Sequence, residues 1–189
     1  MNKKALRIYY LEKRKEVSLS EKLVLEDGLK KILFENFDFS NKITSCFLPI
    51  ISKNEIDTFN IISGIKKKGG RIAFTVWERE TNVLNHRLFT DQTCIENNAI
   101  GIPEPQNGEF IPNELLDIVL VPLLVVDSCG NRVGYGKGVY DRFLANCSSR
   151  TIFIGLSLFE MIERIEDVDV YDIPLSYCIT PTRCITFEK

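Results

Sequence analysis

The sequence predicts an α/β fold, a three-layer sandwich with a mainly parallel central sheet and helices on both faces. Three observations lead there. Residues 42–77 read as strand, helix, strand, the unit from which parallel sheets are built. Two later segments, Asp117–Asp127 and Thr151–Leu158, are apolar at nearly every position, as strands covered on both faces are. Between them a glycine-rich stretch opens a helix, the arrangement of a loop at the carboxyl edge of an open sheet.

Residues 3–16 have helical spacing, with Leu6, Tyr9, Tyr10 and Lys13 three and four apart. Ser18 and Glu21 form a capping box for a second helix, whose apolar face is Leu25, Leu29, Ile32 and Leu33. Lys42–Leu48 reads as a strand. In NEIDTFNIISGIKKKGG, Ile56, Phe59, Ile62 and Ile65 make a helical stripe, lysines fill the last turn, and Gly69-Gly70 ends it. Arg71–Trp77 is the next strand, VLNHRLF (83–89) is a further strand, and residues 100–112 form a turn-rich loop. Asp117–Asp127 is a buried strand interrupted by Pro122. A helix from Gly138 to Asn146, the strand Thr151–Leu158 and a short strand at Tyr177–Thr180 complete the chain.

At 189 residues, 44% hydrophobic and 26% charged, the chain is expected to form one domain, residues 1–189, around one core. A net charge of −2 excludes a broad nucleic-acid face but leaves room for a local basic pocket. The cysteines are Cys46, Cys94, Cys129, Cys147, Cys178 and Cys184. With no C-x-x-C pair and His86 as the single histidine, the usual zinc spacings are excluded. Most of these cysteines lie in apolar sequence and are expected as buried hydrophobes in a reducing compartment. The N-terminus lacks the apolar stretch of a signal peptide, and the longest apolar run, Ile118–Val126, is far short of a membrane span. A cytoplasmic monomer without membrane or nucleic-acid partners is expected.

The stretch with most chemistry is GNRVGYGKGVYDRFLA, Gly130 to Ala145. It matches neither the P-loop nor the dinucleotide fingerprint, whose third glycine would stand at Val139. Gly134, Gly136 and Gly138 let backbone amides approach a ligand closely, and a helix start beside them suits phosphate. Lys137 adds a point charge and Arg132 a fork of donors. Asp141, in the first turn, would repel phosphate unless a Mg²⁺ bridged them. A plain tight turn, with Asp141 complementing the helix dipole, uses the same residues.

The stretch VPLLVVDSCGNRVGYGKGVYDRFLA resembles the signature of the 5-formyltetrahydrofolate cyclo-ligase family, also called methenyltetrahydrofolate synthetases. Lys3-Lys4-Ala5-Leu6-Arg7, FLPIISKNEIDT (47–58), IGIPEP (100–105) and YDIPLSYCIT (171–180) resemble further family segments in the family's order. Leu123, Val126, Val139 and Ser176 depart from it, standing where the family has Gly, Phe, Tyr and Asp. The resemblance implies ATP-dependent conversion of 5-formyltetrahydrofolate to 5,10-methenyltetrahydrofolate, through phosphorylation of the formyl oxygen and ring closure by N10.

The resemblance also implies site residues. ATP would contact Lys3, Lys4, Arg7, Arg132, Gly134, Tyr135, Gly136, Lys137, Gly138, Val139 and Tyr140. Lys137, Arg132 and Tyr140 would be catalytic, and Asp141 and Asp172 would hold Mg²⁺. The folate would contact Leu48, Ile50, Glu55, Gly136, Lys137 and Tyr140. Other readings stand beside these: a solvated helix face for Lys3 and Arg7, a turn residue for Asp172, and a helix-start carboxylate for Glu55. Trp77 is a ring contact or a core residue, and His86 is structural or exposed. Another ATP-dependent enzyme on the same scaffold, or a nucleotide-sensing module, would share the glycine stretch.

Overall fold

A computed structural model describes residues 1–98 and 101–188. Helices α1 (Lys3–Glu16) and α2 (Leu19–Asn36) lead into strand β1 (Ile43–Cys46). Helix α3 (Phe59–Lys67) joins it to β2 (Arg71–Glu78), and β3 (Val83–Leu88) returns alongside. Short strands β4 (Ile95–Asn97), β5 (Pro103–Pro105) and β6 (Phe110–Ile111) precede the central β7 (Ile118–Pro122). After it come β8 (Val125–Val126), β9 (Arg132–Val133), α4 (Val139–Ala145), β10 (Ile152–Leu156), β11 (Tyr177–Ile179) and β12 (Cys184–Thr186).

The main sheet has the order β12-β11-β10-β7-β1-β2-β3-β6. Neighbours from β11 to β2 pair in parallel, and both edges pair antiparallel. The expected α/β sandwich is therefore present, with its layers unequal. In β7, Ile118 and Leu120 pack into a core with Leu6, Tyr10, Leu29, Leu33, Ile62 and Ile65 of the first three helices. Val119 and Val121 point the opposite way, against Phe143 and Leu144 of α4. Period-2 alternation thus gives each face its own core, and the strand looks apolar throughout because both faces are covered.

The helix starts follow local chemistry. Asn2 caps α1 by accepting from the Ala5 N–H at 2.9 Å. The Ser18–Glu21 capping box forms, with the Glu21 carboxylate accepting the Ser18 N–H at 2.9 Å. Such a cap stabilises by about 1 kcal/mol. In α1 the buried side chains are Leu6, Tyr10 and Arg14, while Tyr9 is exposed.

Several expectations need correction. The helical stripe expected from Ile56 begins later: α3 starts at Phe59, which is exposed, and Ile61, Ile62 and Ile65 form its buried face. The sheet strand in Asp117–Asp127 ends at Pro122, which has no N–H to continue the ladder; Val125–Val126 instead pairs with Arg132–Val133 in a separate ribbon. Gly134, Gly136 and Gly138 therefore follow this ribbon, not the sheet strand directly. The loop expected at 100–112 contains β5 and β6, and its first residue, Ile100, lies outside the described residues. The edge strand β12 carried no signal. The cysteines divide: Cys46 and Cys178 are buried, Cys147 and Cys184 half-buried, and Cys94 and Cys129 exposed, all of them free. No helix among the described residues is long and apolar enough to cross a membrane.

His86 is structural. It is fully buried, with its ring against Phe143. Asn113 Oδ1, 3.1 Å from Nδ1, can only accept, so Nδ1 carries the proton and Nε2 accepts from the Ser45 hydroxyl at 2.8 Å. Burial lowers its pKa from 6.5 to about 4, and the Asn113 hydrogen bond opposes the shift weakly. The folded state therefore holds the neutral ring, while the unfolded chain protonates near 6.5. The stabilisation is complete above that pH and is lost as pH falls toward 4. The shift corresponds to about 3 kcal/mol. Urea titrations should show stability falling over this window in the parent, and much less in His86→Gln. An unchanged pH dependence in the variant would remove His86 as the cause.

Candidate active site

The carboxyl ends of the parallel strands open into a cavity of about 470 Å³, an ordinary size for a small-molecule site. Phe47 and Leu48 follow β1, Thr75 and Trp77 end β2, Leu123 and Leu124 follow β7, and Leu158 and Phe159 follow β10, all lining it. The crossover β1–α3–β2 runs one way along the sheet over one face, and β7–α4–β10 runs the other way over the opposite face. The chain thus reverses its winding between β1 and β7 and leaves a crevice there, where ligands of open α/β sheets bind.

The glycine loop forms one wall. Gly138, at φ 63, begins α4 in the left-handed region. Gly136, at φ 86, is in the left-handed region, and a Cβ there would lie 2.8 Å from the guanidinium carbon of Arg7. Arg7 crosses from α1 and its Nε donates to the Gly134 carbonyl at 2.8 Å, so helix and loop brace each other. The Lys137 ammonium stands 4.0 Å over the Trp77 ring. That ring is held by its Nε1–H donating to Asn82 Oδ1 at 3.0 Å, and the Trp77 backbone N–H donates to Glu104 at 3.1 Å. Trp77 is thus half-buried, a cavity wall that also packs against the core on the α4 side.

Charges of both signs meet at one corner. Arg132 Nη2 lies 2.7 Å from Asp141 Oδ1, and Nη1 donates to the Ile173 carbonyl. Asp141 Oδ1 also accepts the Ile173 N–H at 3.2 Å. Asp172 takes the Lys3 ammonium and accepts the Asp169 N–H at 2.6 Å. Burial pulls Arg132 below its ordinary pKa, while Asp141 and then Asp172 pull it back up. The guanidinium stays charged.

A second polar cluster surrounds Glu55. Glu55 is 4% exposed, and its Oε2 accepts the Ile50 N–H at 2.7 Å. Its Oε1 accepts from the Tyr135 hydroxyl, which in turn accepts from Arg14 Nη2 at 2.5 Å. Burial first, then the Glu55 carboxylate, raises the Tyr135 pKa, so this hydroxyl remains a donor. Tyr140 is raised by burial first and then by Cys46 and Glu55.

Lys3, Arg7, Leu48, Ile50, Glu55, Arg132, Asp141 and Asp172 line this cavity together with residues 134–140. Lys4 is the exception: it is exposed on α1 and lies outside the lining. One helical step from Lys3 turns a side chain by about 100° and carries Lys4 off the face that Lys3 and Arg7 share.

The model of the 5-formyltetrahydrofolate cyclo-ligase family matches residues 1–181. The chain belongs to this family. A 5-formyltetrahydrofolate cyclo-ligase of Mycoplasma genitalium is 28% identical over 180 residues, covering 94% of this chain and 98% of the relative. The solved 5,10-methenyltetrahydrofolate synthetase of Aquifex aeolicus superposes with a TM-score of 0.82 at 28% identity, covering 100% of this chain and 94% of that one. The synthetase of Mycoplasma pneumoniae, at 22% identity and a TM-score of 0.74, shares the fold over 96% of this chain and 99% of that one.

Two of the departures from the cyclo-ligase pattern, Leu123 and Val139, line the cavity. Val126 is fully buried, and the Ser176 hydroxyl accepts the Phe153 N–H at 3.2 Å. Arg14 and Lys53 are cavity residues that the sequence reading missed. A signal for Arg14 was present: it stands seven residues beyond Arg7, two turns further along the same face of the helix.

Proposed function

We propose that the chain converts 5-formyltetrahydrofolate into 5,10-methenyltetrahydrofolate, with ATP as phosphoryl donor and ADP and phosphate as products. One observation carries this reading: in a cyclo-ligase-family chain, the glycine loop with its cations shares a single cavity with the buried Glu55. The reaction requires that proximity. The formyl oxygen is a poor leaving group as hydroxide and a good one as phosphate. Transfer of the γ-phosphoryl group to it lets N10 attack the formyl carbon, expelling phosphate and closing the ring.

The residues then divide by chemistry. A carboxylate such as Glu55 accepts paired hydrogen bonds from the guanidine-like edge of a pterin. Leu48, Ile50 and Tyr140 offer ring-sized apolar surface beside it. Lys3, Arg7, Arg132 and the backbone N–H groups of residues 134–140 suit a triphosphate, with Lys137 near the transferred group. Such catalysis is chiefly positioning and charge stabilisation.

Asp141 and Asp172 fit a Mg²⁺ shared with the nucleotide. Among the described residues no group of three or more Asp, Glu, His or Cys side chains could hold a metal. Mg²⁺ is commonly held by one or two carboxylates plus substrate phosphates. Bound there, it would supply neutralisation of phosphate charge.

Purified protein with ATP, Mg²⁺ and 5-formyltetrahydrofolate should develop the near-ultraviolet absorbance of the methenyl product and release one phosphate per product. Neither signal appearing would overturn the reading. ATP consumption only with another acyl or amide acceptor would reassign the chain to a different reaction on this scaffold.

A further inference from the structure

Arg14 has no part in the chemistry above, although it lines the cavity. It shares a face of α1 with Lys3 and Arg7, eleven residues and about 16 Å of helix beyond Lys3, and it reaches Glu55 through Tyr135. It is 6% exposed, and its Nε has no hydrogen-bond partner among the described residues. No carboxylate among those residues pairs directly with it. A guanidinium buried this deeply is costly unless a negative charge lies close by. The carboxylate it reaches is Glu55, through one hydroxyl.

The direction of this chain of hydrogen bonds is fixed by proton counting. Arg14 can only donate, and it donates to the Tyr135 oxygen at 2.5 Å. Tyr135 has one proton and gives it to Glu55 Oε1. Ile50 N–H holds Oε2 at 2.7 Å. Each carboxylate oxygen therefore keeps a free lone pair, and the two pairs match two N–H donors on one edge of a pterin. Lys53 also approaches Tyr135, but it lies 4.1 Å over the ring and not at the hydroxyl.

We propose that Arg14 is a positioning residue of the pterin subsite: acting through Tyr135, it supplies the counter-charge for Glu55 and holds that carboxylate oriented toward the substrate. The inference rests on the proposed folate reading. Because Tyr135 lies within the glycine loop, the same hydrogen bonds tie that loop to the pterin end of the cavity.

Equilibrium binding tests this without turnover. Trp77, the chain's single tryptophan, lines the cavity and reports occupancy through its fluorescence. Arg14→Met should weaken 5-formyltetrahydrofolate binding by about tenfold to thirtyfold, the scale of a hydrogen bond to a charged group, while ATP binding changes less than about twofold. Arg14→Lys should recover part of the loss. In a Tyr135→Phe background Arg14→Met should add less than about twofold, since the relay is already broken. Folded Arg14→Met with parental folate affinity, equal weakening of both ligands, or losses that multiply in the double variant would each overturn the proposal. If Arg14→Met does not fold, the same cycle with Arg14→Lys decides: an Arg14→Lys effect that persists undiminished with Tyr135→Phe overturns it. A parent protein that binds no 5-formyltetrahydrofolate overturns the functional reading as well, so the two failures are distinguishable.

Discussion

Lys137→Ala is expected to lower turnover about a hundredfold at saturating ATP and folate, with little change in thermal stability. The rate factor is the usual contribution, about 3 kcal/mol, of one well-placed group stabilising charge that develops in the transition state. The stability forecast follows from the surroundings of Lys137, which is exposed and forms no ion pair among the described residues. Its principal contact is the Trp77 ring, 4.0 Å from the ammonium. An exposed cation–π contact contributes only about 0.5–1 kcal/mol. Lys137→Arg should also be impaired, because a planar fork does not occupy the place of a compact ammonium in a tight loop. Stopped-flow turnover and a thermal melt check both parts. Near-parental turnover in the alanine variant would reduce residues 134–138 to a turn.

The second large effect separates two carboxylates that sequence alone treats as equals. Asp141 faces Arg132, whose side chain is 6% exposed, whereas Asp172 faces the more accessible Lys3. Removing one partner of a buried pair strands the other charge, at a cost of about 3–5 kcal/mol. Asp141 is itself 27% exposed, so solvent reduces that figure to about 2 kcal/mol. Asp141→Asn should therefore lower the melting temperature by about 5 °C in a chain of this length. Asp172→Asn, which strands a Lys3 ammonium that is 19% exposed, should lower it by a smaller amount. Both variants should require more Mg²⁺ for half-maximal rate, since each removes a charged oxygen from the proposed metal position. Magnesium titrations of rate, read beside thermal melts, test the two forecasts separately. An unchanged Mg²⁺ requirement in both variants would leave these carboxylates only their ion pairs.

The features legible in the sequence are those written locally. The capping box at Ser18 and Glu21, the alternation hidden in Ile118–Pro122, and the stop at Gly69-Gly70 depend on residues a few positions apart. The glycine stretch was legible for the same reason, since backbone freedom and charge stand side by side in it. Strands β6, β8 and β9 were not, because two residues carry no period and exist only through a partner. Ile56 misled because it continues the helical spacing of α3 yet is buried before the helix begins.

The α/β class, the family and the loop at the sheet's carboxyl edge all follow from residues close together along the chain. Which side chains meet across the cavity follows from tertiary packing. Lys3 and Lys4 are equivalent in composition, but the rotation of α1 against the sheet turns one inward and the other to solvent. His86 gains its two partners from Ser45 and Asn113, and Arg14 reaches Glu55 through Tyr135, contacts between segments distant along the chain. Periodicity reports which face of an element is apolar. Which polar groups converge depends on how those elements cross, and that is set by packing over the whole chain.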